Sequence, residues 1–123
     1  MITIDDFQKV EIKIGEIKSA EKIEGSNKLL RLEVDFGEKG SVEASEVAES
    51  VEVSKPRQII SGIANYFPDE KSLVGKKCAF VTNLEPRMIM GLESNGMVLA
   101  VSGDNFFSLL ETSLDVLPGS AIK

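Results

Sequence analysis

The stretch Val10–Ile23 reads VEIKIGEIKSAEKI. Val10, Ile12 and Ile14 alternate with Glu11 and Lys13, and the apolar series continues past Gly15 with Ile17 and Ala20. Alternation at period two predicts a strand with one buried face. Its length exceeds the usual five or six residues, and Gly15 offers a site for a bulge or sharp bend. A long bent strand at the start of a chain constrains how the rest can close around it.

The following residues repeat the pattern. Glu24–Asn27 (EGSN) is a turn cluster, and LLRLEVDF then places Leu30, Leu32, Val34 and Phe36 on one face. Arg57–Ala64 (RQIISGIA) is apolar enough for a central third strand. Pro68–Gly75 (PDEKSLVG) predicts one short helix, with Pro68 at its first position, acids in its first turn and Gly75 past its end. KKCAFVTNL and GMVLAV read as the fourth and fifth strands. FFSLL (106–110) and LPGSAIK (117–123) add a strand and a turn. The expected fold is all-β: a five-stranded OB-fold (Greek-key) barrel with one short helix between strands 3 and 4 and a C-terminal strand/turn extension.

Residues 1–123 are expected to form a single domain, with an acidic surface insertion at about 38–54. Between Glu38 and Glu52 lie five acids and one lysine. That leaves 13 bases against 15 acids elsewhere, in a chain of formal net charge −6. The balance argues against a broad charge-driven binder of DNA, yet a small basic face remains possible, since local charge governs phosphate binding.

Other chemistry is restricted by composition. The chain has no histidine and one cysteine, which removes imidazole triads, internal disulfides and multi-cysteine metal sites. No cofactor is expected. MITIDDFQKV lacks a basic region followed by an apolar run, and no apolar stretch approaches membrane-spanning length. A cytoplasmic protein without membrane association is therefore expected.

Between the fourth and fifth strands lies NLEPRMIMGLESNGMVLA (83–100). In an OB barrel, the loop between strands one and two and the loop between strands four and five border the face that takes oligonucleotides. The first holds Asn27 and Lys28; the second holds Asn83, Arg87, Ser94 and Met97. Lysine and arginine neutralise phosphates, asparagine and serine hydrogen-bond phosphate, ribose or base, and methionine packs on a base or sugar. Bland alternatives exist for each. Asn83 could satisfy backbone groups before Pro86, Ser94-Asn95-Gly96 could be an ordinary turn, and Met90 reads as core, with Met97 evenly balanced. Tyr66 and Phe67 could stack bases but read as sealing the barrel.

The same segments carry a family resemblance. ITIDDFQKVEIKIGEI, EGSNKLLRL, RQIISGIANYFPDEKSLVGK, the element N-L-x-P…G-x-x-S-x-G-M and LPGSAIK resemble the tRNA-binding OB domain at the C-terminus of methionyl-tRNA synthetases, also found as stand-alone tRNA-binding proteins. The resemblance covers nearly the whole chain outside 38–54. It implies a non-catalytic module that recognises tRNA shape and pairs as a homodimer, either free or associated with a synthetase catalytic subunit. The tRNA-binding residues it suggests are Asn27, Lys28, Asn83, Arg87, Ser94 and Met97. Departures occur at the insertion, at Glu85 where relatives often carry lysine, and at Met88-Ile89 where a second base is common. A second class, the CsaA-like export chaperones, shares the fold and binds unfolded polypeptide. A third, metal chemistry on Asp5, Asp6 or Asp104, lacks any recognisable carboxylate spacing.

Overall fold

Strand β1 (Ile12–Lys22) is the axis of the molecule. The structure is a computed structural model and describes residues 1–43 and 50–123, with backbone alone for 40–43 and 50–53. The second half of β1 pairs antiparallel with β2 (Leu30–Asp35), and its first half pairs with the later strand β6 (Lys77–Val81). One strand thus serves two neighbours because it bends between them. The bulge lies away from the expected Gly15. The register shifts between Ile17 and Ser19, leaving Lys18 as the irregular residue. Gly15 serves instead for close approach, since a Cβ there would lie 2.5 Å from Val34 Cγ1 and 2.6 Å from Phe36 Cε1.

After β2 come β3 (Lys39–Glu43) and β4 (Ser50–Ser54), which pair with each other as an antiparallel hairpin. Residues 44–49 of the acidic insertion, and all side chains of 40–53, lie outside the described residues. Strand β5 (Arg57–Ser61) returns to the far edge of β2. A 3-10 turn (Ala64–Tyr66) and a second 3-10 helix (Glu70–Leu73) lead to β6. The helix expected between the third and fourth barrel strands is present, but it is a 3-10 helix of one turn. Asp69, whose side chain accepts from Lys71 N–H at 3.1 Å, caps it where Pro68 was expected to open it.

Strand β7 (Arg87–Ile89) and β8 (Leu92–Ser94) form a short hairpin, followed by β9 (Met97–Val98) beside β6. The main sheet runs β5-β2-β1-β6-β9. Asn95 N–H donates to Gln58 O at 2.9 Å, bringing the β9 end back to β5 and nearly closing the barrel. This is the order of a five-stranded OB barrel.

The interior follows the alternation read from sequence. Ile17, Ala20, Leu30, Leu32, Val34, Ile59, Leu73, Cys78 and Phe80 are fully buried, with Phe36 edge-on to Phe80 at 5.3 Å. Burial pushes the Cys78 thiol up to about 11, as expected of an inert core cysteine.

Strands β10 (Ala100–Ser102) and β11 (Phe107–Leu109) form the C-terminal hairpin. The tail then runs back along β1, where Gly119 N–H donates to Ile14 O at 2.7 Å and Ile122 N–H to Ile12 O at 2.9 Å. At the other end, helix α1 (Ile4–Phe7) is set by a capping box between Thr3 and Asp6. Among the described residues, no helix is long and apolar enough to cross a membrane.

Candidate nucleic-acid interface

Two loops meet at one end of the barrel. The first, residues 23–29, is pinned from within. Ser26 Oγ accepts from the N–H groups of Lys28 and Leu29, each at 3.2 Å. That turn leaves Asn27 and Lys28 exposed. The second is the β7–β8 hairpin, whose two-residue turn puts Met90 at φ +50° and Gly91 at φ +77°. Positive φ at both central positions is the type I′ arrangement that matches strand twist. The loops approach at their tips: a Cβ on Gly25 would lie 3.8 Å from Met90 Cε.

Arg87, Ser94 and Met97 come together around a small cleft of about 80 Å³, lined also by Ile60, Leu84 and Glu85. Arg87 and Ser94 stand directly opposite each other in the hairpin register. Arg87 and Lys28 are exposed and have no carboxylate partner among the described residues, whereas Arg31 is paired with Glu21 and Lys22 with Glu70. Met88, Met90 and Met97 are all more than 45% exposed. The reading of Met90 as core is therefore corrected. It sits at the turn tip, where its backbone leads away from the barrel. The rim is a cation beside several flexible apolar side chains, suited to phosphate on one side and base or sugar on the other.

Ser94 supports this rim from behind, whereas Asn83 lies apart from it. Ser94 is buried; its Oγ accepts from Ile60 N–H at 3.0 Å, and its hydroxyl donates to Gly96 O at 3.3 Å. The hydroxyl thus stands where a neighbouring strand's carbonyl would otherwise serve β5. Asn83 is exposed yet tied on both sides of its amide. Its Oδ1 accepts from Glu11 N–H at 2.8 Å, and its Nδ2 donates to Lys9 O at 2.6 Å. It clamps the segment before β1 and lines the groove beside α1, apart from the Arg87 cleft.

Arg57 was missed by sequence reasoning. Its Nε and Nη2 donate to the two Glu38 oxygens at 2.7 and 2.8 Å, while Nη1 donates to Thr82 O at 2.7 Å and Asn95 O at 3.4 Å. The guanidinium also lies 5.3 Å from the Phe36 ring centroid. Thr82 and Asn95 are the two ends of the loop carrying the hairpin, so one side chain fixes both. The Arg57 hydrogen bonds hold the Glu38 carboxyl below its ordinary value against partial burial. Nearby, the Thr82 hydroxyl bonded to Glu11 lowers that carboxyl too. Only the basic start of RQII hinted at this role.

Of the aspartates considered for metal chemistry, Asp6 is engaged in the Thr3 capping box and Asp104 lies in the β10–β11 turn. No group of three carboxylate or cysteine ligands forms among the described residues.

With this geometry in view, comparisons with known proteins agree. A family described as "Putative tRNA binding domain" matches residues 12–121. A methionine–tRNA ligase of Lactococcus lactis is 43% identical over 98% of the chain, and the chain spans 16% of that relative's length. Among solved structures, a MetRS-related protein from Pyrococcus horikoshii superposes with a TM-score of 0.82 at 32% identity, covering 100% of this chain and 98% of that one. A CsaA chaperone from Picrophilus torridus superposes with a TM-score of 0.75 at 26% identity, covering both chains fully.

Proposed function

Because the chain belongs to the tRNA-binding domain family related to the non-catalytic C-terminal region of methionine–tRNA ligases, we propose that it binds folded tRNA through the rim around Arg87 and Lys28. The observation that carries this reading is the convergence of two loops distant in sequence on a surface where two cations lack carboxylate partners among the described residues and three methionines are exposed. Arg87 and Lys28 take phosphates, and Asn27 and Met97 take exposed ribose or base. Ser94 acts by holding the rim in place, and Asn83 by clamping the segment before β1. Contacts to phosphate and ribose carry no sequence information directly, so such a rim favours recognition of tRNA shape over base sequence.

The module would serve in the cytoplasm, raising a synthetase's hold on tRNA or acting as a free tRNA-binding protein. A homodimer would double the rim. Support for pairing comes from the terminal segments, where Ile2, Ile4, Leu114 and Leu117 are each more than 65% exposed. Sedimentation at micromolar concentration should give twice 13.4 kDa; a monomer would remove the dimer from the proposal.

The likeness to a CsaA chaperone supports a second reading, binding of unfolded polypeptide. Titration with total tRNA, duplex DNA and a reduced, unfolded protein separates the two. Preference for tRNA over both competitors is expected. Retention of unfolded protein with indifference to tRNA would transfer the rim to the chaperone reading.

A further inference from the structure

An aromatic surface lies beside the first loop and has no part in the rim described above. Tyr66 closes the 3-10 turn Ala64–Tyr66, and Ala64 N–H donates to Lys28 O at 3.0 Å, joining the turn to the loop that presents Asn27 and Lys28. The Tyr66 ring is parallel to Phe107, with centroids 3.9 Å apart and planes 5° from coplanar. Phe67 meets Phe107 edge-on at 5.9 Å. Phe67 and Phe107 pack against the core, so they do the sealing expected of this segment. Tyr66 stands outside them and is 53% exposed. With one ring face on Phe107, that exposure belongs to the other face and the hydroxyl edge.

We propose that the free face of Tyr66 is a stacking platform for one unpaired nucleobase of the bound RNA, with the loop that presents Lys28, joined to the Tyr66 turn through Ala64, supplying the contact to an adjoining phosphate. The proposal rests on the tRNA reading and adds a subsite to it. A ring already stacked on Phe107 is held in one orientation, so a base extends an existing stack without ordering a mobile side chain. Stacking accepts any base, which suits a protein that reads tRNA by shape. Single-stranded nucleotides of a loop or a chain end fit this role; paired bases, already stacked in a helix, do not.

The chain has one tyrosine and no tryptophan, so its intrinsic emission reports on Tyr66 alone. Unfractionated tRNA is titrated into the parent protein, with emission corrected for absorbance, while binding is followed separately by anisotropy of labelled tRNA. Saturable quenching that tracks the bound fraction is expected. Tyr66→Phe should bind within about twofold of the parent, and Tyr66→Ala should bind about 5- to 100-fold more weakly with an unchanged salt slope. Emission that stays constant while tRNA saturates the parent would overturn the platform and leave the tRNA reading intact. So would a folded Tyr66→Ala variant that binds like the parent. If Tyr66→Ala does not fold, the parent's emission decides alone. A parent that does not bind tRNA at all would overturn both.

Discussion

Replacing Ser94 by alanine separates support of the rim from contact with RNA. The hydroxyl is the acceptor for Ile60 N–H at 3.0 Å, and both residues are about 5% exposed. Alanine removes a single oxygen, so the lost packing volume is small. What remains is a buried donor without a partner, which costs about 1–3 kcal/mol. Taking about 2 kcal/mol, and an unfolding entropy of about 2.1 cal/mol/K per residue, the melting temperature of this 123-residue chain should fall by about 8 °C. Thermal denaturation by circular dichroism measures that fall, and amide hydrogen exchange should show Ile60 losing protection. Affinity for tRNA should drop as the hairpin loosens, and the salt dependence should stay as in the parent. A variant that melts like the parent, keeps Ile60 protected and yet binds tRNA poorly would refute the reasoning. The hydroxyl would then face the RNA.

Arg57→Ala removes the fork that joins Glu38, Thr82 and Asn95, and should cost about 2–4 kcal/mol in a urea titration. Arg57→Lys should recover less than half of that, because an ammonium cannot hold both Glu38 oxygens and two carbonyls; full recovery would reduce the role of Arg57 to bare charge. Glu38 and Glu11 both titrate below the ordinary 4.5 in the folded state, so their stabilisation is complete above that value and is lost as pH falls through the lowered ones. Melting temperatures should therefore fall on the acid side of about pH 4.5, and Glu38→Gln, less stable at pH 7, should show a shallower acid decline; an equally steep one would place the acid sensitivity elsewhere. Met90→Asn gives the I′ turn a residue suited to φ +50° and should raise stability by about 0.5–1 kcal/mol. A loss would show that Met90 packing on Gly25 outweighs the backbone.

Strands β1 and β2 were legible because each alternates over about six residues or more, and one buried face leaves little freedom in register. The β7–β8 hairpin was not. Its strands are three residues each, and its turn is Met90-Gly91, without the asparagine or aspartate that usually marks a two-residue loop. Helix α1 is a single turn, too short for any periodicity. Gly15 was read as a bend because glycine permits one, whereas the neighbouring Phe36 and Val34 side chains need its missing Cβ. At the rim, the cation Arg87 could be placed by loop position alone, whereas Met90, an apolar residue between strands, read as core and is exposed. Ser94 and Asn83 could not be placed so, because a polar residue in a turn looks the same whether it faces a ligand or a backbone amide. Arg57 was hidden for a related reason. Its partners are 19, 25 and 38 residues away, and no local pattern links them.

The central claim is that folded tRNA binds through phosphate contacts at Arg87 and Lys28. The measurement that tests it most directly is the affinity of parent and Arg87→Ala for unfractionated tRNA across a salt series, with thermal melts to show that both are folded. The logarithm of the parent's binding constant should fall with the logarithm of salt at a slope reflecting about two to four phosphates per protomer. Arg87→Ala should bind more weakly, with that slope reduced by about one. A folded Arg87→Ala protein whose affinity and slope both equal the parent's would contradict the account.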